Sequence, residues 1–351
     1  MLDVLVLLID KPGHRHQALG VAAAVERADG ARITRVDVGY RWWAFAALRA
    51  LVAKRARGAG LRFWLRALYG LDPARLPRAD LVISSGRPAI AAGILLGRAF
   101  AAPFVYSGLA KDNGLGDLVD LQLVPIEAYD TLPNTAFAPF PTLVDPEVFA
   151  PVRPLRRRED LRGARIGLLL GGDAHSHRFE AEDWRAIRDL VVAGHRELGV
   201  AWRIFTSRRT GDFASDLFAG LAGQPGIETV VDWRVRGATP PADLLAGDAL
   251  VVTEDSASMM YEAVAARRPV IALRPGRVKP STMDEIVAQL TARGALAAMP
   301  IAGLDAGAFA ERLIGLTPIE GDDRDRIRAA LDRLIGPAER GDPPVAGPTG
   351  A

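Results

Sequence analysis

The sequence predicts an α/β chain built from two doubly wound, parallel-sheet domains, and three observations carry that expectation. Its 351 residues exceed one ordinary domain of roughly 100–200 residues. Short apolar runs alternate with longer helical patterns, the rhythm of a sheet wrapped by helices. The alternation stops once, in a proline- and arginine-rich stretch over residues 139–165, and then restarts. With 49% hydrophobic and 25% charged residues, disorder and collagen-like structure are excluded.

In the first domain, residues 1–150, the uninterrupted apolar run 4–9 reads as a buried strand. Residues 17–28 repeat alanine and valine at helical spacing, and 33–38 form a second strand. Residues 41–78 are helical and break near Gly58 to Gly60. The run 81–84 is a third strand, leading through Ser85-Gly86-Arg87-Pro88 into an alanine-rich helix over 89–100. Strands at 104–106 and 121–124 complete the set.

The second domain, residues 163–317, restarts with a strand at 165–170 and a helix at 181–198. A strand at 201–206, a helix at 213–222 and a strand at 227–231 follow. A short helix at 243–246 precedes a strand at 249–253, a helix at 258–266 and a strand at 270–273. A C-terminal helix is placed within 318–336, with its pattern over 324–335. The four prolines and four glycines of 336–351 predict a disordered tail over 337–351.

The chain has no cysteine, which excludes disulfides, thiolate metal sites and cysteine nucleophiles. Its net charge of +2 gives no reason to expect nucleic acid as a partner. That total conceals a local imbalance. Residues 41–78 hold nine basic side chains against one acid, Asp72, together with Trp42, Trp43 and Trp64. Basic residues and tryptophan favour an anionic membrane surface; a buried tryptophan core under a solvated basic face is the plainer alternative. No apolar run reaches the ~18–20 residues that span a bilayer. The apolar start lacks a basic n-region and runs into Asp10-Lys11-Pro12-Gly13, so it reads as a strand and not as a signal peptide.

Four of the five histidines fall just after the first strand of a domain, in Asp10-Lys11-Pro12-Gly13-His14-Arg15-His16 and Gly171-Gly172-Asp173-Ala174-His175-Ser176-His177. Ligands of open parallel sheets bind beyond the carboxyl ends of the strands. Glycine there lets the backbone approach a ligand closely. Alternate spacing in a loop is a poor metal motif, even with Asp10 or Asp173 as a third ligand, and no metal or other cofactor is expected. Solvated histidines are the plainer reading. A histidine is also the natural base for deprotonating a hydroxyl. His14, after Gly13, suits that role better than His16.

The stretch Val252-Thr253-Glu254-Asp255-Ser256-Ala257-Ser258-Met259 runs from a strand through small hydroxyl residues into a helix start, where unpaired N–H groups favour an anion. Ser256 or Ser258 is alternatively a simple helix cap. Glu262 lies one turn beyond Ser258, placed to accept ribose hydroxyls from a nucleotide whose diphosphate rests on that helix start. Ser207, Arg208 and Arg209 follow another strand, where the arginines either neutralise a diphosphate or remain solvated. Ser85, Gly86 and Arg87 form the corresponding turn of the first domain, as cleft residues or as a helix start with proline in its first turn.

These residues resemble a family. Asp10 to His14 with Gln17 and Gly20, Ser84 to Arg87, Gly171-Gly172, Ser207 to Thr210, and Asp255-Ser256 with Ser258-Met259 and Glu262-Ala263 are similar to the bacterial relatives of the plant mitochondrial fission protein named for elongated mitochondria. The resemblance runs in order over about residues 3–300. It implies a glycosyltransferase of the GT-B architecture, two Rossmann-like domains facing across a cleft. The C-terminal half is also similar to the lipid-linked N-acetylglucosaminyltransferase of peptidoglycan synthesis, which implies a diphosphate turn at Asp255, Ser256, Ala257, Ser258 and Met259 and a ribose contact at Glu262. The first loop of that enzyme corresponds to Gly13-His14 but is richer in glycine. Where the relatives carry Pro-x-His-Asp, this chain has Pro125-Ile126-Glu127-Ala128-Tyr129-Asp130. That departure implies a different acceptor or a reduced activity.

The resulting expectation is metal-independent transfer of a sugar from a nucleotide diphosphate sugar to an envelope or lipid-linked acceptor. His14, or failing it Asp10 or another residue, acts as base. Gly171, Gly172, Ser207, Arg208, Arg209 and the 255–259 turn with Glu262 hold the donor. Gly13, Gln17, Ser85, Gly86 and Arg87 line the acceptor side. The expected location is cytoplasmic, peripheral at the inner face of the cytoplasmic membrane through residues 41–78. The alternatives are a non-catalytic membrane-surface protein that recruits or shapes a partner, and a nucleotide-sugar epimerase on the same plan.

Overall fold

The computed structural model describes residues 1–110, 114–236, 242–319, 321 and 323–336. The chain divides into two compact units, one of residues 1–143 together with the C-terminal segment from 322, the other of residues 144–321.

The first unit contains β1 (Asp3–Leu8), α1 (Pro12–Asp29), β2 (Arg32–Asp37), α2 (Ala46–Arg55), α3 (Ala59–Tyr69), β3 (Leu81–Ser85), α4 (Arg87–Phe100), β4 (Phe104–Ser107), β5 (Leu121–Val124) and β6 (Thr135–Phe137). The strands form one parallel sheet in the order β2-β1-β3-β4-β5-β6. The apolar β1 is buried on both faces, as a central parallel strand must be. Leu5, Leu7 and Ile9 join a core with residues of α2, α3 and α4, while Val4, Val6 and Leu8 join a second core with Val21 and Val25 of α1.

α1 begins at Pro12 and not at residue 17, because the fixed φ of proline suits the first helical position and its missing N–H has no partner to lose there. The segment Pro12 to His16 is therefore the helix's first turn and not a loop. Gly13 is helical, and a Cβ at that position would meet nothing within 4 Å, so it serves no close backbone approach.

The second unit contains β7 (Arg165–Leu170), β8 (His177–Arg178), α5 (Ala181–Ala193), β9 (Ala201–Thr206), α6 (Gly211–Ala219), β10 (Ile227–Val231), α7 (Trp233–Arg236), α8 (Ala242–Leu245), β11 (Ala249–Thr253), α9 (Ala257–Ala265), β12 (Val270–Arg274), β13 (Arg277–Val278), α10 (Thr282–Ala292), β14 (Ala297–Pro300) and α11 (Ala306–Leu313). Its main sheet is parallel in the order β10-β9-β7-β11-β12-β14. Renumbered within the unit this is 3-2-1-4-5-6, the order of dinucleotide-binding folds. β8 and β13 make a separate antiparallel pair.

The last helix, α12 (Asp323–Ile335), returns to the first unit. Ile327 and Leu331 enter the core around Val4, Val6 and Leu8. Buried Arg328 grips Asp29 at the end of α1 with two bonds of 2.6 and 3.0 Å. The helix read at 318–336 is thus a structural part of the N-terminal sheet layer. The stretch read as a disordered tail, 337–351, lies outside the described residues.

In the basic segment, Trp64 packs partly against the first core, but Trp42 is 93% exposed and Trp43, Phe45 and Phe63 are exposed as well. A wholly buried tryptophan core is thereby overturned. No helix among the described residues is long and apolar enough to cross a membrane.

Candidate functional site

Both sheets reverse their direction of growth at one place. In the first unit the reversal lies between β1 and β3, in the second between β7 and β11. The loops after those strands diverge and leave a crevice, the usual ligand position of an open parallel sheet. The sequence-selected residues collect at these two points.

At the first point, His14 comes from the opening turn of α1 and Ser85 from the end of β3. His14 Nδ1 lies 3.1 Å from Ser85 Oγ. Ser85 is buried, and its hydroxyl also lies 2.6 Å from Gln17 Oε1 and 3.0 Å from the Ser107 carbonyl. Burial pushes the His14 pKa below the ordinary 6.5; a hydrogen bond with Gln17, which favours the protonated ring, opposes that shift and the Lys11 charge reinforces it. Gly86 caps α4 with φ +87°, and a Cβ there would strike Ile9 and crowd the His14 ring. Gln17 and Ser85, read as acceptor contacts, have their side chains directed to His14 and its surroundings. Asp10 and Arg87 are exposed.

At the second point three loops converge, those after β7, β9 and β11. The Gly171 amide donates to Thr253 Oγ1 at 2.7 Å. The Thr210 hydroxyl reaches the carbonyls of Leu170 and Gly171 at 2.9 and 2.7 Å, and Ser207 Oγ reaches Gly171 at 3.3 Å. Arg209 pairs with Asp255 at 2.7 Å, and Arg208 is exposed. The Asp255 carboxylate is buried against Gly171, so a methyl group at Gly171 would overlap it; one at Gly172 would overlap the Arg209 carbonyl. Burial pushes the Asp255 carboxyl above its ordinary range, against the opposing charge of Arg209. The side chain assigned to a diphosphate turn therefore braces that turn from below.

Ser256 begins α9 from extended backbone, and its hydroxyl makes no capping bond; it faces Ser258 Oγ at 3.3 Å. The simple serine cap is not formed, and the first turn keeps its donors for another acceptor. The Met259 side chain is buried, so this residue offers only backbone to a ligand, whereas Ala257, Ser258 and Glu262 are partly exposed. Ser258 and Glu262, four apart, share one helix face.

Sequence reasoning missed a second network. Fully buried His177 lies 3.3 Å from Glu254 Oε1 and 2.9 Å from Ser176 Oγ. Arg274 bridges Glu254 at 2.6 Å and Asp284 at 2.7 Å. His177 is therefore a structural partner and not a solvated loop histidine. Glu254, directly after the strand and beside Asp255, was the available signal. Among the described residues, no group of three or more histidine and carboxylate side chains is arranged to hold a metal ion.

A family model described as Mitochondrial fission ELM1 matches residues 12–313. No curated protein matches the sequence. Among solved structures, the chain is similar to a UDP-GlcNAc 2-epimerase from Methanocaldococcus jannaschii, with a TM-score of 0.54, 11% identity, and 95% of this chain and 100% of that one covered. It is similar to S. aureus MnaA in a co-structure with UDP, with a TM-score of 0.53, 13% identity and coverage of 97% and 99%. It also resembles the glycotransferase of kitacinnamycin, with a TM-score of 0.51, 14% identity and 97% of each chain covered. The shared feature is the fold, the GT-B type with two Rossmann-like units.

Proposed function

The chain belongs to the Mitochondrial fission ELM1 family, and from that premise we propose that it transfers a sugar from a nucleotide diphosphate sugar to an envelope or lipid-linked acceptor, without a divalent metal. The observation that carries this reading is the convergence of the loops after β7, β9 and β11 on the uncapped start of α9, with Glu262 one turn along. The helix start and Arg208 hold the departing diphosphate. Arg209 is held in place by Asp255, and Glu262 accepts the ribose hydroxyls. In the first unit, His14 takes the proton of the acceptor hydroxyl as its oxygen bonds to the anomeric carbon; the anomeric carbon–phosphate oxygen bond breaks, and its electron pair leaves on the diphosphate.

The test is a thermal-stability screen against UDP, TDP, CDP and GDP, followed by calorimetry, since a ligand that binds only the folded state raises its stability. At least one should bind, and Glu262→Ala should weaken it by about tenfold, the weight of one good charge-assisted bond. Binding of none, or no effect of Glu262→Ala, would remove the reading. Free nucleotide released without acceptor-linked sugar would favour an epimerase.

A second reading rests on Trp42, at 93% exposure, beside exposed Trp43, Phe45 and Phe63 in the basic segment. This surface suits an anionic lipid bilayer, on the cytoplasmic face of a membrane, for a transferase with a lipid-linked acceptor or for a non-catalytic protein that recruits a partner. Flotation with anionic but not neutral liposomes, lost in Trp42→Ala/Phe45→Ala, supports docking. Only donor binding separates the enzyme from the scaffold.

A further inference from the structure

The His14 ring has two nitrogens, and which of them carries the proton of the neutral form decides which can act as a base. Hydrogen positions at such a site are assigned from the hydrogen-bond network. Three groups surround the Ser85 hydroxyl: Gln17 Oε1 at 2.6 Å, the Ser107 carbonyl at 3.0 Å and His14 Nδ1 at 3.1 Å. A hydroxyl has one proton and two lone pairs. The Ser107 carbonyl can only accept, and unlike an amide side chain it cannot be flipped. If the hydroxyl proton went to His14 Nδ1, the Ser107 carbonyl would face a lone pair inside a buried site, which is costly. If it goes to Ser107, the Gln17 amide turns its NH2 to one Ser85 lone pair, and Nδ1 faces the other and must itself be N–H.

We propose that Ser85, oriented by the Ser107 carbonyl and Gln17, is a positioning residue that holds neutral His14 as its Nδ1–H tautomer and leaves Nε2 as the basic nitrogen. The proposal deepens the base role assigned to His14 in the transfer reading and rests on that role for its functional meaning. It gives Ser85 and Gln17 work that involves no contact with substrate. The arrangement also explains the need for glycine at position 86: any side chain there would crowd the ring that Ser85 orients.

The test is long-range proton–nitrogen correlation NMR of the full-length protein labelled with ¹⁵N-histidine, at about pH 8, where an ordinary histidine is neutral. His14 is identified by the signal lost in His14→Gln. The wild type should show a protonated Nδ1 and a lone-pair Nε2. Ser85→Ala should tilt the ratio towards Nε2–H by about tenfold, the weight of one hydrogen bond, while His175 keeps its wild-type signature. Gln17→Ala, with the Ser107 carbonyl still orienting Ser85, should keep the Nδ1–H form. A wild-type His14 protonated at Nε2, or a ratio unchanged by Ser85→Ala, would overturn the proposal. The wild-type spectrum alone decides the tautomer if Ser85→Ala fails to fold. Because it is recorded without substrate, its outcome is independent of whether a donor binds.

Discussion

The two units place their candidate residues at the same topological point and furnish it with opposite chemistry. In the first, the reversal between β1 and β3 holds a histidine, a serine hydroxyl, a glutamine and a carbonyl, all joined by hydrogen bonds. In the second, the reversal between β7 and β11 is braced by two buried carboxylates paired with partly exposed arginines, Asp255 with Arg209 and Glu254 with Arg274. The same fold thus holds a hydrogen-bonded cluster around a histidine at one crevice and arginine–carboxylate pairs at the other. The difference is set by loop residues and not by the sheets. The glycines that follow the first strand of each unit differ as well: a Cβ at Gly171 or Gly172 would overlap a neighbouring loop, while one at Gly13 would meet nothing within 4 Å.

The largest expected effect separates the units by how they are completed. The first unit borrows α12 from the end of the chain, fastened by buried Arg328 on Asp29. Arg328→Ala leaves Asp29 without that partner and should cost about 3 kcal/mol, as for other broken buried pairs. Hydrogen exchange should rise in α12 and α1 and stay unchanged around β7 and β11. Equal loosening of both units would break the contrast.

Next comes the glycine comparison. Gly171→Ala forces a methyl group into the Asp255 carboxylate and should destabilise the second unit by about 2 kcal/mol, within the usual range of overpacking. Gly13→Ala fills open space in a helical turn and should be neutral or stabilising by about 0.5 kcal/mol. Urea unfolding of the two variants measures both. A reversed order would show that the first turn of α1, and not the loop after β7, needs its glycine.

The smallest effect is electrostatic. His14 titrates below its unfolded value because burial disfavours the charged ring. Its contribution to stability is therefore complete above about pH 6.5 and is lost as pH falls through the folded pKa. His14→Gln should flatten that part of the stability–pH curve, and NMR titration of His14 should give a midpoint under 6.5. A midpoint above 6.5 would contradict the burial argument.

Much of this organisation is legible in the residues. The run at 4–9, the restart at 165–170 and the strand at 249–253 recur as β1, β7 and β11 because continuous apolar runs bounded by turns have few other fates. β14 was not legible: Ala-Ala-Met-Pro has no β-branched residue, and an edge strand tolerates its proline. α10 carries a legible start signal, its Ser281–Asp284 capping box, although the expected order of elements does not include it. At the sites, His14, Glu262 and the 255–259 turn were selected by type and spacing. The inward roles of Ser85 and Asp255 were not, since a one-dimensional pattern does not show that Ser107 presents a carbonyl to one and Gly171 a bare backbone to the other.

The central claim is that the second unit anchors a nucleoside diphosphate at its sheet reversal. Hydrogen exchange of the full chain, with and without saturating nucleoside diphosphate taken from the UDP, TDP, CDP and GDP screen, tests it most directly. The account predicts slowed exchange at 171–172, 207–210 and 256–259, with clearly less slowing in those segments in Glu262→Ala at the same concentration, one that does not saturate that variant. Unchanged exchange in all three segments, or protection confined to the first unit, would contradict it.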